Sequence, residues 1–268
     1  MQRLGDLLPT IERPTDAITT ATTDVPLSVY QCATCHDMGW VMDEAKWQSS
    51  AYRDGLVPCP RCGAARQQAR LERISGLSET MRGYTLARFN SRFPGRDDAL
   101  KAARVAVNEP HGMLTFWGRW GTGKTYLLAA IVNECRARGL ASVYVTVADL
   151  LDDLRQTFDP QSQESFGGLW KRVCEAKVLA LDEVDKFRAS EWAEEKFFQL
   201  IDRRYRDHEK CLTVLATNHE VKHGARIIAE TRYAGYLESR LLDGRFRVVE
   251  VGGGPGGGDV RPLMEERR

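Results

Sequence analysis

No stretch of this sequence approaches the ~18 consecutive apolar residues that a membrane-crossing helix needs. The opening segment MQRLGDLLPTIERPTDAITTATTDVP also lacks the continuous apolar run of a secretory leader. The expectation from both absences is a cytoplasmic protein. Charge of one sign is missing too: 38 Lys and Arg oppose 37 Asp and Glu, for a net charge of +1. That balance excludes a uniformly basic coat for nucleic acid and leaves room only for a local basic face. No internal repeat is visible. What remains is ordinary for a globular protein with a buried core, at 43% hydrophobic and 28% charged residues.

Cysteine is present in an odd number, seven, and four of them form the pairs CATC and CPRC, with 23 residues between the pairs. This pattern reads as metal binding in a reducing compartment rather than as a disulfide framework. Cys32, Cys35, Cys59 and Cys62 suit two knuckles closing on a tetrahedral Zn2+. His36, next to Cys35, is a competing ligand type, but four thiolates already complete the shell. A closed four-thiolate shell leaves no open position, so zinc here is structural and the module's task is recognition. Cys135, Cys174 and Cys211 read as small core residues.

Along the chain, Leu4, Leu7, Leu8 and Ile11 give a short amphipathic start to a flexible segment, 1–29. The zinc-binding module follows at 30–63, then a basic helical linker at 64–111; between 61 and 104, ten Arg or Lys oppose four Asp or Glu. From 112 to 251 short apolar strands alternate with amphipathic helices, the mark of an α/β fold with a parallel sheet between helices. Five strands are predicted, within MLTFW, SVYVTV (142–147), VLAL (178–181), CLTVLAT (211–217) and FRVVEV (246–251). Leu127, Leu128, Ile131, Val132 and Cys135 form the inward face of the helix after the first strand. Trp192, Phe197, Phe198, Ile201 and Tyr205 do the same between the third and fourth. The tail, 252–268, opens GGGPGGGD and reads as flexible.

GRWGTGKT, residues 118–125, has the P-loop spacing GxxxxGK followed by Ser or Thr, with a strand before it and a helix after. Gly118, Gly121 and Gly123, with Thr122, let the backbone wrap phosphate oxygens at a helix N-terminus. Lys124 is placed to reach the β and γ phosphates and Thr125 to ligate Mg2+. VLALDEVDK then delivers two carboxylates to the carboxyl end of a buried strand, where open α/β sheets bind ligands. Asp182 is assigned to the Mg2+ shell and Glu183 to polarising the attacking water, while Asp185 and Lys186 read as surface residues. Asn218 ends the fourth strand, where its amide either contacts the γ phosphate or that water, or simply caps a turn.

Arg240 lies in SRL, just before the last strand. P-loop, acid pair, Thr-Asn after the fourth strand and this SRL, in that order, resemble an AAA+ ATPase. In that family the corresponding arginine reaches into the neighbouring subunit's site, so the resemblance makes Arg240 a finger; the alternative is an ion pair with Glu238 or Asp243. Only 17 residues follow the last strand, too few for the lid that many AAA+ proteins carry. Together with ISGLSETMRGYTLARFN and SEWAEEKFFQLIDRRY, this makes residues 30–250 similar to bacterial and phage replicative helicase loaders of the DnaC and DnaI type, related to IstB proteins. One departure is DEVDK, where loaders often carry two aspartates followed by Leu-Gly. Another is the second-sensor arginine, for which only Arg261 is available.

The resemblance implies an ATP-dependent loader with ATP, Mg2+ and Zn2+ as cofactors. Its implied partners are a replicative helicase hexamer, single-stranded DNA and further copies of itself. Lys171, Arg172, Phe166 and Trp170, after the second strand, either contact DNA or belong to the core. The basic linker either follows the DNA backbone or is a solvated helix. An IstB-like transposition helper is the alternative function. A protein unfoldase and a nonhydrolysing zinc adaptor are more distant ones.

Overall fold

The computed structural model describes residues 30–43, 56–188, 190–221 and 234–253. Arg261 and the amphipathic start, Leu4 to Ile11, lie outside them. The cysteine pairs flank a two-stranded antiparallel ribbon, β1 (Trp40–Met42) and β2 (Leu56–Pro58), with Val41 opposite Val57. Cys62 directly precedes α1 (Gly63–Glu72), so the second knuckle opens into a helix.

Then come α2 (Glu79–Arg82), a 3-10 turn (Leu86–Arg88) and α3 (Asp97–Asn108). Five parallel strands follow: β3 (Gly112–Trp117), β4 (Ser142–Thr146), β5 (Val178–Asp182), β6 (Leu212–Thr217) and β7 (Arg247–Glu250), in the spatial order β4-β5-β6-β3-β7. Each lies within a stretch predicted from its apolar run, or extends it by one residue. The connecting helices are α4 (Lys124–Ala137), α5 (Val147–Gln156), α6 (Phe166–Glu175), α7 (Glu191–Arg206) and α8 (Ala234–Leu241).

Side chains alternate across the pleat and build a core on each face. Leu114, Phe116, Val178, Ala180 and Val214 face α3 and α4, whose Leu127, Leu128, Ile131, Val132 and Cys135 are fully buried. Val143, Val145, Leu179, Leu181 and Leu215 face the other way, against α5 to α8. There Phe197 and Ile201 are buried, with Trp192, Phe198 and Tyr205 packed at the margin.

The basic segment 64–111 does not hang free. Leu71 belongs to one core, and Leu77, Leu86, Phe89 and the apolar face of α3 belong to the other. It also closes the sheet's β4 edge: Gly76 N donates to Tyr144 O (2.9 Å) and Ser142 N to the Gln68 side chain (2.9 Å). An uncovered edge strand would be a template for unwanted pairing. Arginine content disguised this role, because most of the basic side chains occupy the solvent side of helices whose other side is apolar, the buried Arg96 excepted.

Arg204 is a buried cation with no acidic partner among the described residues. Its Nε donates to Thr213 Oγ1 (2.7 Å), Nη2 to Leu212 O (2.6 Å), and Nη1 to the carbonyls of Val173, Cys174 and Ala176. Those three carbonyls end α6, where no further helical amide is available to them. Burial lowers the pKa of Arg204 from its ordinary value, yet an arginine stays charged and so anchors α6, α7 and β6 together.

Candidate functional site

β3 ends at Trp117 and the chain turns through 118–123 into α4. At Gly118 φ is +144° and a Cβ would lie 2.4 Å from Val251 O; at Gly123 φ is +102° and a Cβ would lie 2.9 Å from the Phe89 ring. Only glycine meets both the conformation and the space at these two positions. Gly121 also has positive φ, and the buried Thr122 donates Oγ1 to Arg119 O at 2.9 Å. Arg96, buried between the Phe89 and Phe93 rings, donates Nη2 to Gly121 O at 3.2 Å. This brace on the loop lies outside any motif, 25 residues away along the chain.

Lys124 Nζ donates to Gly118 O (2.6 Å), Arg119 O (2.9 Å) and Asn218 Oδ1 (3.1 Å). Burial lowers its pKa, with Asp182 and then Asp185 pulling the other way. Asp182, buried at the end of β5, accepts on one oxygen from Thr125 Oγ1 (2.6 Å) and Tyr144 OH (2.8 Å), and on the other from Glu183 N (2.8 Å). A hydroxyl beside a carboxylate is the hard oxygen pair that suits Mg2+, which otherwise keeps water and phosphate ligands. Sequence reasoning missed Tyr144, because strand register brings it there, opposite Ala180 on β5. Burial and the neighbouring Asp182 raise its hydroxyl pKa far above the usual tyrosine value.

After Asp182 the chain reverses. Glu183 has φ +53°, Lys186 N donates back to Glu183 O (2.9 Å), and Val184 N donates to Ala216 O on β6 (3.1 Å). The half-exposed Glu183 carboxylate pairs with Lys186 Nζ at 2.5 Å. Asp185, read as a surface residue, is corrected: its side chain is 5% exposed and it accepts from Asn218 N (3.3 Å) and Nδ2 (3.0 Å). The turn aims it inward, and period reasoning does not reach through a turn. Lys186 is exposed, as read.

Gly121 to Thr125, Asp182, Glu183, Asp185, Lys186 and Asn218 share one cleft of about 550 Å³, which Met81, Tyr84, Phe89 and the 62% exposed Trp120 also line. The volume is within the range of small-molecule and cofactor sites.

Arg240 lies on α8 and does not line this cleft. Its guanidinium sits against the rings of Tyr205 (4.4 Å) and Tyr236 (4.2 Å), and Nη2 donates to Tyr236 OH (2.6 Å) and Asp202 Oδ1 (3.3 Å). The ion pair is with Asp202 on α7, rather than with Glu238 or Asp243. Of the residues weighed as DNA contacts, Phe166 and Trp170 stack on each other and pack against the core, and Arg172 pairs with Glu164. Lys171 is exposed.

The sulfurs of Cys32, Cys35, Cys59 and Cys62 all lie within 4.8 Å of one another. Cys32 and Cys59 are 3.7 Å apart and Cys35 and Cys62 3.4 Å, against the roughly 3.8 Å that tetrahedral Zn–S bonds of ~2.3 Å require. Backbone amides of Cys35 and Thr34 lower the Cys32 thiol to about 6, while burial and the neighbouring sulfurs push Cys62 up to about 12. Four such thiols can ionise together only around a cation, so the set fits Zn2+. Gly39 N donates to Cys35 Sγ at 3.2 Å, and the Asp37 carboxylate takes the amides of Gln31 and Cys32 and pairs with Arg66 of α1 at 3.1 Å. The ring of His36 lies beside Tyr30 and outside the sulfur cluster.

Three comparisons bear on identity. The YdaV protein of Escherichia coli (strain K12) is 30% identical over 191 residues, 69% of this chain and 76% of that one. The replicative helicase loader DnaC of the same strain is 27% identical over 187 residues, 69% of this chain and 75% of that one. The crystal structure of DnaI superposes with a TM-score of 0.53 over 70% of this chain and 98% of that one, at 23% identity, which speaks for the fold. The model of the IstB-like ATP binding proteins matches residues 42–255, and with the P-loop cleft described above the chain belongs to that family as an AAA+ P-loop ATPase.

Proposed function

We propose that this ATPase loads a replicative DNA helicase onto single-stranded DNA in the cytoplasm, assembling through ATP at its subunit interfaces and hydrolysing it to ADP and phosphate. The observation that carries this reading is the likeness to DnaC, named a replicative helicase loader, over three-quarters of that protein.

In this reading Lys124 exchanges its loop carbonyls for the β and γ phosphates, at amides that the glycines of 118–123 leave free to point inward. Thr125 and Asp182 would hold Mg2+, which when bound neutralises charge developing on the phosphates. Glu183, released from Lys186, accepts a proton from the attacking water, and Asn218 steadies the γ phosphate or that water. Arg240, released from Asp202, enters the neighbouring copy's cleft. A finger arginine is worth roughly 10³ to 10⁵ in rate.

The zinc module grips the helicase. Tyr30, Met38, Trp40 and Met42 are all exposed, a concentration of large apolar side chains that a small module has little reason to show to water unless it docks on protein. Exposed Arg70, Arg73 and Lys171 offer phosphate contacts to DNA.

One observation favours a second reading: the matching family model is that of IstB-like proteins. A transposition helper would bind duplex DNA and a transposase. Co-purification with the resident replicative hexamer, with and without ATP, decides between the two. An ATP-dependent complex lost in Cys59→Ser and unable to turn over in Glu183→Gln is expected. The absence of any stable complex would reject the loader reading.

A further inference from the structure

Asp185 lies in DEVDK and has no role assigned in the ATP site, yet it is the more deeply placed acid of the turn that follows β5. The left-handed Glu183 and the Val184 N to Ala216 O bond fold that turn onto the end of β6, where Asn218 lies. The Asp185 carboxylate takes both the backbone amide and the side-chain NH2 of Asn218, at 3.3 and 3.0 Å, with the His219 ring 3.7 Å away. Asn218 Oδ1 in turn accepts from Lys124 Nζ at 3.1 Å.

Chemistry dictates the direction of this chain. An ionised carboxylate only accepts and an ammonium only donates, so the amide between them has one permitted orientation. Once Lys124 turns to the phosphates, the carboxylate alone sets which end of the amide faces the cleft, and without it the two ends become nearly interchangeable. A group that meets the γ phosphate or the attacking water must be held to within a fraction of an ångström.

We propose that Asp185 is a positioning residue for ATP hydrolysis, fixing the place and the end-for-end orientation of the Asn218 amide beside Lys124. It touches no phosphate itself and acts through Asn218. The proposal rests on the reading of Asn218 as a phosphate-side or water-side group.

The test uses full-length protein carrying Asp185→Ala, Asp185→Asn, Asn218→Ala and the Asp185→Ala/Asn218→Ala pair, with kcat and KM for ATP measured separately and melting temperature recorded. Asp185→Ala is expected to lower kcat about 10-fold, the scale seen when a partner that orients a site residue is removed, with KM changed less than about 2-fold because the P-loop is untouched. The double variant is expected to be no slower than Asn218→Ala, since the two act as a unit. Asp185→Asn keeps the volume and one acceptor and is expected to restore part of the rate. If Asp185→Ala does not fold, a kcat below wild type in Asp185→Asn supports the proposal. Wild-type kcat in a folded Asp185 variant, or losses that multiply in the double variant, overturns it. Wild-type kcat in Asn218→Ala would instead overturn the reading of Asn218, and this inference with it.

Discussion

Lys186 Nζ and Glu183 Oε1 lie 2.5 Å apart, three residues apart on the turn that follows β5, with both side chains about two-fifths exposed. The proposed base for water is thus held by a neighbouring cation. An exposed pair of this kind is worth about 0.2–1 kcal/mol, so it tunes the base without disabling it. Lys186→Met is expected to raise basal kcat by up to about 5-fold, the rate equivalent of that upper value. A steady-state phosphate-release assay at saturating ATP checks it, and an unchanged or lower kcat would show that the pair does not restrain Glu183.

Tyr144 and Thr125 both donate to the same oxygen of Asp182. Tyr144→Phe removes the donor that orients the carboxylate without changing the packing of the ring. It is expected to raise the Mg2+ concentration for half-maximal hydrolysis by about 10-fold, with maximal rate at high Mg2+ nearly restored. A Mg2+ titration measures this; an unshifted midpoint would mean Asp182 does not need the tyrosine.

The seven cysteines divide by environment. Burial pushes Cys135 and Cys174 up to about 11, and raises Cys211 as well. A raised thiol pKa leaves almost no reactive thiolate at pH 7.5, because the thiolate forms only as pH climbs toward that value. Removing the metal with a strong chelator opens the knuckles and takes away the burial and neighbouring sulfurs that raise Cys62, so native protein is then expected to expose four thiols to a disulfide reagent, and denatured protein all seven. Elemental analysis should return one zinc per chain, lost in Cys59→Ser. Seven reactive thiols after chelation alone would show that the metal holds more than its own module.

Arg204 fills a space walled by carbonyls. Arg204→Met keeps much of the stem but leaves those acceptors without donors, and is expected to cost roughly 3 to 5 kcal/mol, since each buried acceptor left unpaired costs about 1 to 3 kcal/mol. Arg204→Lys should cost nearly as much, since an ammonium cannot span the fork. Urea unfolding reads the difference, and a loss below about 1 kcal/mol would rule out the anchoring role.

The sequence by itself determined the strands, the P-loop, the acid at the end of β5 and the paired cysteines. Each rests on information within a few residues: apolar period, glycine spacing, a strand followed by a helix. Tertiary structure decided what lies across the fold. It put Tyr144 on Asp182 through strand register, Arg96 on the P-loop through packing of α3, and Asp185 on Asn218 through a left-handed turn. It seated Arg240 on Asp202, which the local alternatives of Glu238 and Asp243 did not include. Register, turn handedness and helix docking are set by the summed burial of both cores, and no short window of residues contains that sum.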